Sequence, residues 1–81
     1  MTVGELILIN KAKYTKAYLL EKNEDNTVKF TQINDNTVNS EIAMKEAKDY
    51  FLLDKEGIEE IFGKSKDLEI IEEDKVLMIG L

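Results

Sequence analysis

Thr2-Val3-Gly4-Glu5-Leu6-Ile7-Leu8-Ile9-Asn10 admits two readings, and the choice between them decides the fold. Four consecutive apolar residues, Leu6 to Ile9, favour a short strand at residues 5–9, because a surface helix spaces its apolar positions at three- and four-residue intervals. Thr2 followed by Glu5 also fits the capping box that opens a helix, which would run toward Leu20. Gly4 would then sit in the first turn, at a cost of about 1 kcal/mol relative to Ala. The strand reading ranks first and the helix second.

Outward from this stretch, residues 14–22 and 27–33 are short, rich in β-branched and aromatic types, and separated by Asn-containing connectors. With residues 5–9 they predict an antiparallel meander over 1–33. Val28 and Phe30 alternate with Lys29 and Thr31, the period-two pattern of a half-buried strand. Residues 34–40 hold the richest run of turn formers. Asn39 or Ser40 then caps a helix in which Ile42, Ala43, Ala47, Tyr50 and Phe51 share a face. Residues 50–53 either finish that helix or form a short strand. Asp54 caps a second short helix carrying Ile58, Ile61 and Phe62, and Gly63 supplies its C-terminal stop. Residues 67–71 and 76–81, joined by Glu72-Glu73-Asp74-Lys75, read as a closing hairpin. The expectation is one small α+β domain: an N-terminal antiparallel β-meander (1–33), one or two short helices (40–63) and a C-terminal β-hairpin (67–81).

Several predicted strands are apolar on both faces: Leu6 and Leu8 against Ile7 and Ile9, Ala17 and Leu19 against Tyr18 and Leu20, Val76 and Met78 against Leu77 and Ile79. Two helices shield one side of a sheet, so the other side needs a second sheet, a barrel or another chain. The expected answer is a homodimer or an obligate partner, with Leu6, Leu8, Val76 and Met78 at the oligomer interface.

Composition excludes more than it supports. A hydrophobic fraction of 43% against 35% charged residues is too apolar for a disordered chain. At 81 residues there is material for one modest core. The sequence has no Cys, His, Arg, Pro or Trp. It therefore lacks disulfides and thiolate nucleophiles, a base that titrates near neutrality, imidazole and sulfur metal ligands, and the planar fork that reads phosphate or guanine. No glycine-rich phosphate loop or nucleophilic triad is present. An enzyme is not expected, nor a cofactor. Residues 1–9 show no basic segment followed by a long apolar run, so neither a signal peptide nor a membrane partner is expected and a cytoplasmic location is. Heavy use of Lys, Asn, Ile and Glu without Arg or Pro fits an A+T-rich bacterial or phage genome.

Net charge is −6, and it is uneven. Residues 1–33 carry five lysines and four acids, whereas residues 34–81 carry six lysines and thirteen acids. Such a chain repels nucleic acid and favours neutral or basic partners.

Three motifs compete with plain structural roles. Asp35, Thr37, Asn39, Glu41 and Glu46 fall at calcium-loop spacing, but Ser40 stands where the loop needs Gly, and a capped helix start covers the same residues. Lys11, Lys13 and Lys16 interleave with Tyr14 and Tyr18 as in base-stacking surfaces, although tyrosines at a core edge with outward lysines fit better. Paired acids such as Glu59 and Glu60 point about 100° apart on a helix and do not form a catalytic dyad. What remains is an acidic face. The expected function is a small, non-enzymatic protein-binding module with Glu56, Glu59, Glu60, Glu69, Glu72, Glu73 and Asp74 as contact acids. A phage or mobile-element inhibitor that occupies a basic, nucleic-acid-handling site on a host protein would have these properties. The alternatives are a homo-oligomeric structural subunit without an external ligand, and a small-molecule-binding domain around Tyr14, Tyr18 and Phe30.

Overall fold

The computed structural model describes residues 1–34, 37–63 and 68–81. Among the described residues seven elements follow in order: α1 (Val3–Ile9), β1 (Lys16–Lys22), β2 (Val28–Ile33), α2 (Ser40–Ala43), β3 (Asp49–Leu53), α3 (Lys55–Phe62) and β4 (Val76–Gly80). The four strands form one mixed sheet in the order β2-β1-β4-β3. β1 runs antiparallel to β2 and parallel to β4, and β3 runs antiparallel to β4. The α+β class expected from the sequence is what the chain adopts, but two of its predicted strands are absent.

The first departure is the opening segment, which is helix rather than strand. Thr2 and Glu5 form the full capping box: Glu5 N donates to Thr2 Oγ1 at 3.2 Å, and Thr2 N donates to Glu5 Oε1 at 3.0 Å. Val3 and Leu6 are buried, Leu8 and Ile9 are exposed, and the buried Asn10 closes the helix by donating Nδ2 to Leu6 O at 2.9 Å. Burial at positions 3, 6 and 10 is helical spacing, so the apolar run is only half used by the core. Gly4 has its own reason. A Cβ there would lie 3.1 Å from both Ala43 Cβ and Ala43 O, so the missing side chain lets α1 approach α2.

The hairpin of β1 and β2 matches the second and third predicted segments. Asn26 takes the left-handed backbone, with φ 69°, that its turn requires, and Asn23 N donates to Thr27 O at 2.8 Å. α3 also forms where expected, from the Asp54 cap to Gly63, whose φ of 76° suits a residue without Cβ. The predicted helix after Ser40 lasts only to Ala43. Residues 45–47 instead bond to the N-terminus, with Val3 N donating to Lys45 O and Ala47 N to Met1 O, each at 2.9 Å. That turns the chain so that residues 49–53 become a strand beside β4.

The second departure is the closing hairpin. Residues 68–71 are irregular, and Asp67 lies outside the described residues. β4 forms, but in the middle of the sheet, between β1 and β3. Val76, Leu77, Met78 and Ile79 are all fully buried, as suits a strand apolar on both faces and flanked on both edges. An edge place in a hairpin would have left one of its edges unpaired.

Both faces of β1 and β4 are covered by the chain itself, so their two-faced apolar pattern is met within one chain. On one face Val3 and Leu6 of α1 pack with Ala17, Leu19, Ile33, Leu77 and Ile79, and Ile42 of α2 joins them. On the other, Ile58 of α3 packs with Tyr18, Val76 and Met78, backed by Leu68 and Ile70. Phe30 and Phe62 meet there edge to face, with ring centroids 5.4 Å apart.

Candidate functional site

α3 and Glu72 from the turn before β4 border an open acidic hollow. The Asp54 carboxylate accepts from Gly57 N at 2.8 Å and so fixes the first turn of α3, where Glu56 is favourably placed near the helix N-terminus. Glu59 follows on the same side. Glu72 arrives from the turn before β4. Asp54, Lys55, Glu56, Glu59 and Glu72 together line an open hollow of about 590 Å³. Among the described residues Lys55 is the one cation that lines it, and four acidic residues around one space favour a negative site.

The structure thus brings together three of the predicted contact acids: Glu56, Glu59 and Glu72. Glu60, Glu69 and Glu73 are exposed but do not line the hollow.

Asp74 belongs to a different class. It is buried, and Thr15 Oγ1 donates to its Oδ1 at 2.8 Å while Ile71 N and Lys16 Nζ reach Oδ2 at 3.1 and 2.9 Å. The Ile71 amide, then Lys16, hold its carboxyl below the usual aspartate range, and the same hydrogen bond raises the Lys16 ammonium. Lys16 Nζ also donates to Glu69 O. Asp74 is therefore a clasp that ties the segment before β4 to the start of β1, and a partner has no access to it comparable with that to Glu72 or Glu73.

The predicted interface residues separate in the same way. Leu6, Val76 and Met78 lie inside the core, and of the four only Leu8 is at the surface, 71% exposed. Helical geometry explains the split of Leu6 from Leu8, since residues two apart share a face only in a strand.

Tyr14, Lys16 and Tyr18 do not share a surface. Tyr14 precedes β1 and packs on the α1 side, whereas Tyr18 is buried against α3 and Lys16 is committed to Asp74. Tyr14 lines a hollow of about 460 Å³ with Ile7, Lys11 and Thr15, but Tyr18 and Phe30 belong to the opposite core cluster, so the proposed small-molecule trio does not converge. Of the calcium-loop positions, Asp35 lies outside the described residues. Asn39 Oδ1 caps α2 by accepting from Ile42 N at 2.9 Å, and Glu46 pairs with the N-terminal ammonium at 2.8 Å. Among the described residues no three Asp or Glu side chains are grouped to hold a metal ion. No described helix is long and apolar enough to cross a membrane.

Sequence reasoning missed one surface altogether. β3 is an outer strand, and Tyr50, Phe51 and Leu52 on it are 45%, 39% and 41% exposed. The signal was the unbroken run Tyr50-Phe51-Leu52-Leu53 between Lys48-Asp49 and Asp54-Lys55.

No protein-family model matches the chain, and no curated protein or solved structure matches it significantly.

Proposed function

We propose that this protein is a small acidic, non-enzymatic binding module, located in the cytoplasm, whose hollow between α3 and the turn before β4 receives a basic segment of a partner protein. One observation carries the reading: Glu56 and Glu59 of α3, its cap Asp54 and Glu72 from a later turn line a common hollow in which, among the described residues, Lys55 is the one cation. Negative potential gathered in a hollow attracts Lys- and Arg-rich surfaces and speeds their encounter. A protein that handles nucleic acid presents such a surface, and occupying it would inhibit that protein, as a phage or mobile-element inhibitor does.

The test is capture from lysate of the native host at low salt, with wild-type bait beside a Glu56→Gln, Glu59→Gln, Glu72→Gln bait. A basic protein held by wild type, released by moderate salt and lost from the triple variant is the expected result. Equal recovery on both baits would refute the assignment.

A further inference from the structure

We infer that the hollow at the open end of the β1–β2 hairpin, on the α1 face of the sheet, binds a small organic carboxylate with an apolar tail. The inference goes beyond the acidic hollow, which is built on α3, and stands independently of it.

The space depends on one small side chain. β1 reads Lys16-Ala17-Tyr18-Leu19-Leu20-Glu21-Lys22, and Ala17 alone in it has a side chain of one carbon. It pairs with Ile33 of β2 on one side and Leu77 of β4 on the other, and it faces α1, as Leu19 does two positions on. Ala17 and Ile33 are buried and form the floor of a hollow of about 460 Å³, with Ile7 of α1 and Val38 from the segment before α2 on its walls. That volume falls within the roughly 300–1,000 Å³ of small-molecule sites, which combine an apolar lining with a few polar groups.

Charge selects the occupant. The chain carries 17 acids against 11 lysines, yet among the described residues no Asp or Glu lines this hollow, whereas Lys11 and Lys16 do. Lys16 is already answered by Asp74 at 2.9 Å. Lys11 takes part in no ion pair among the described residues. It follows Ile7 by four residues, and its N–H donates to Leu8 O at 3.4 Å, so the helical turn carries on and sets an exposed ammonium beyond an apolar wall. Gln32, also exposed, adds an amide at the rim. An apolar floor below one uncommitted cation suits an anion with an apolar body; an organic cation is repelled and a neutral molecule forgoes the charge contact. The acids elsewhere on the chain oppose this little, because exposed charges more than about 10 Å apart are largely screened at 0.1 M salt.

The hollow is open on one side and a tail of a few carbons buries only part of its surface, so the expected affinity is roughly millimolar. Titration of isotope-labelled protein with hexanoate, acetate and hexylammonium, followed through backbone amide shifts by NMR, tests the inference. Hexanoate is expected to shift the amides of Ile7, Lys11, Ala17 and Val38 and to saturate. Acetate, which lacks the tail, should bind about tenfold more weakly, and hexylammonium should leave these amides unmoved. Lys11→Glu, at an exposed position, is expected to keep the spectrum of the folded chain and to reverse the preference, so that hexylammonium binds and hexanoate does not. Ala17→Leu fills the floor and is expected to abolish hexanoate binding; Lys11→Glu leaves the core alone, so the test does not depend on whether Ala17→Leu folds. No shift at these amides up to about 20 mM hexanoate, equal binding of hexanoate and either comparison ion, or an unchanged preference in Lys11→Glu overturns the inference.

Discussion

Leu6→Ala and Leu8→Ala together test whether residues 3–9 are helix in solution. In a strand the two leucines share a face and their truncations cost alike. In α1 they do not: Leu6 is 1% exposed and Leu8 is 71% exposed. Replacing Leu by Ala removes the equivalent of three methylene groups, worth about 2.4 kcal/mol at about 0.8 kcal/mol each when fully buried. A residual cavity adds to this, but Leu6 borders the hollow beside Tyr50, so part of the space opens to water or collapses. The expected cost at Leu6 is about 3 kcal/mol. At Leu8 most of the side chain is already in water, and Ala is at least as good a helix former, so the change is expected within about 0.5 kcal/mol. A domain of this size has a total stability of roughly 4–12 kcal/mol, so Leu6→Ala lowers the thermal midpoint by about 12–24 °C. Urea unfolding of the two variants at equal m-value gives the comparison directly. Equal losses at both positions would refute the helical assignment and restore the strand.

Three further outcomes follow from particular contacts. Gly4→Ala gains roughly 1 kcal/mol of helix propensity but forces a Cβ to within 3.1 Å of Ala43 Cβ and the Ala43 carbonyl, so a net loss is expected in urea unfolding, with Ala43→Gly restoring only part because the carbonyl remains. Asp54→Ala is expected to cost about 1 kcal/mol through the lost cap whereas Asp54→Asn keeps it, so Asn at this position should weaken binding of a basic partner without moving the melting temperature. The Asp74 carboxyl, lowered on folding, adds stability that is present above the usual aspartate value and is lost as pH falls through its still lower folded value; the raised Lys16 adds stability present below its unfolded value and lost as pH rises through the folded one. Urea midpoints should therefore fall below about pH 4, and Asp74→Asn should flatten that acid limb; an unchanged limb would show that Asp74 is not the clasp.

Several local signals in the sequence specify structure that is itself local, and these were read correctly. The Asn23 to Thr27 turn, the Asp54 cap and the Gly63 stop each depend on residues within a few positions of one another, whereas the expected alternation of β2 is not seen, since Val28 is exposed and Ile33, on the face of Lys29 and Thr31, is buried. The opening helix was ranked second because residues 6–9 are consecutively apolar and Gly4 looked costly, and the contact that justifies Gly4, with Ala43, lies far along the chain. β4 was given the wrong neighbours for a similar reason: a fully apolar strand announces a central place, but its parallel partner is β1 and nothing nearby in sequence says so. In the candidate site, charge alone picked out Glu56, Glu59 and Glu72, while their convergence depends on how α3 packs beneath the turn. Asp74 was grouped with Glu73 because both are acids in one turn. Its burial is decided by Thr15, 59 residues away.

The parallel contact of β1 with β4 joins residues 16–20 to residues 76–80. Everything between them, a hairpin, two helices and an outer strand, is a detour that must be completed before the middle of the sheet exists. Without β4, β3 has no neighbour and β1 has only β2, and an isolated two-stranded hairpin is marginal in water. The chain therefore has no stable half. It is expected to stay open until β4 has been synthesised, and while it is open the Tyr50 to Leu53 segment is uncovered on both edges.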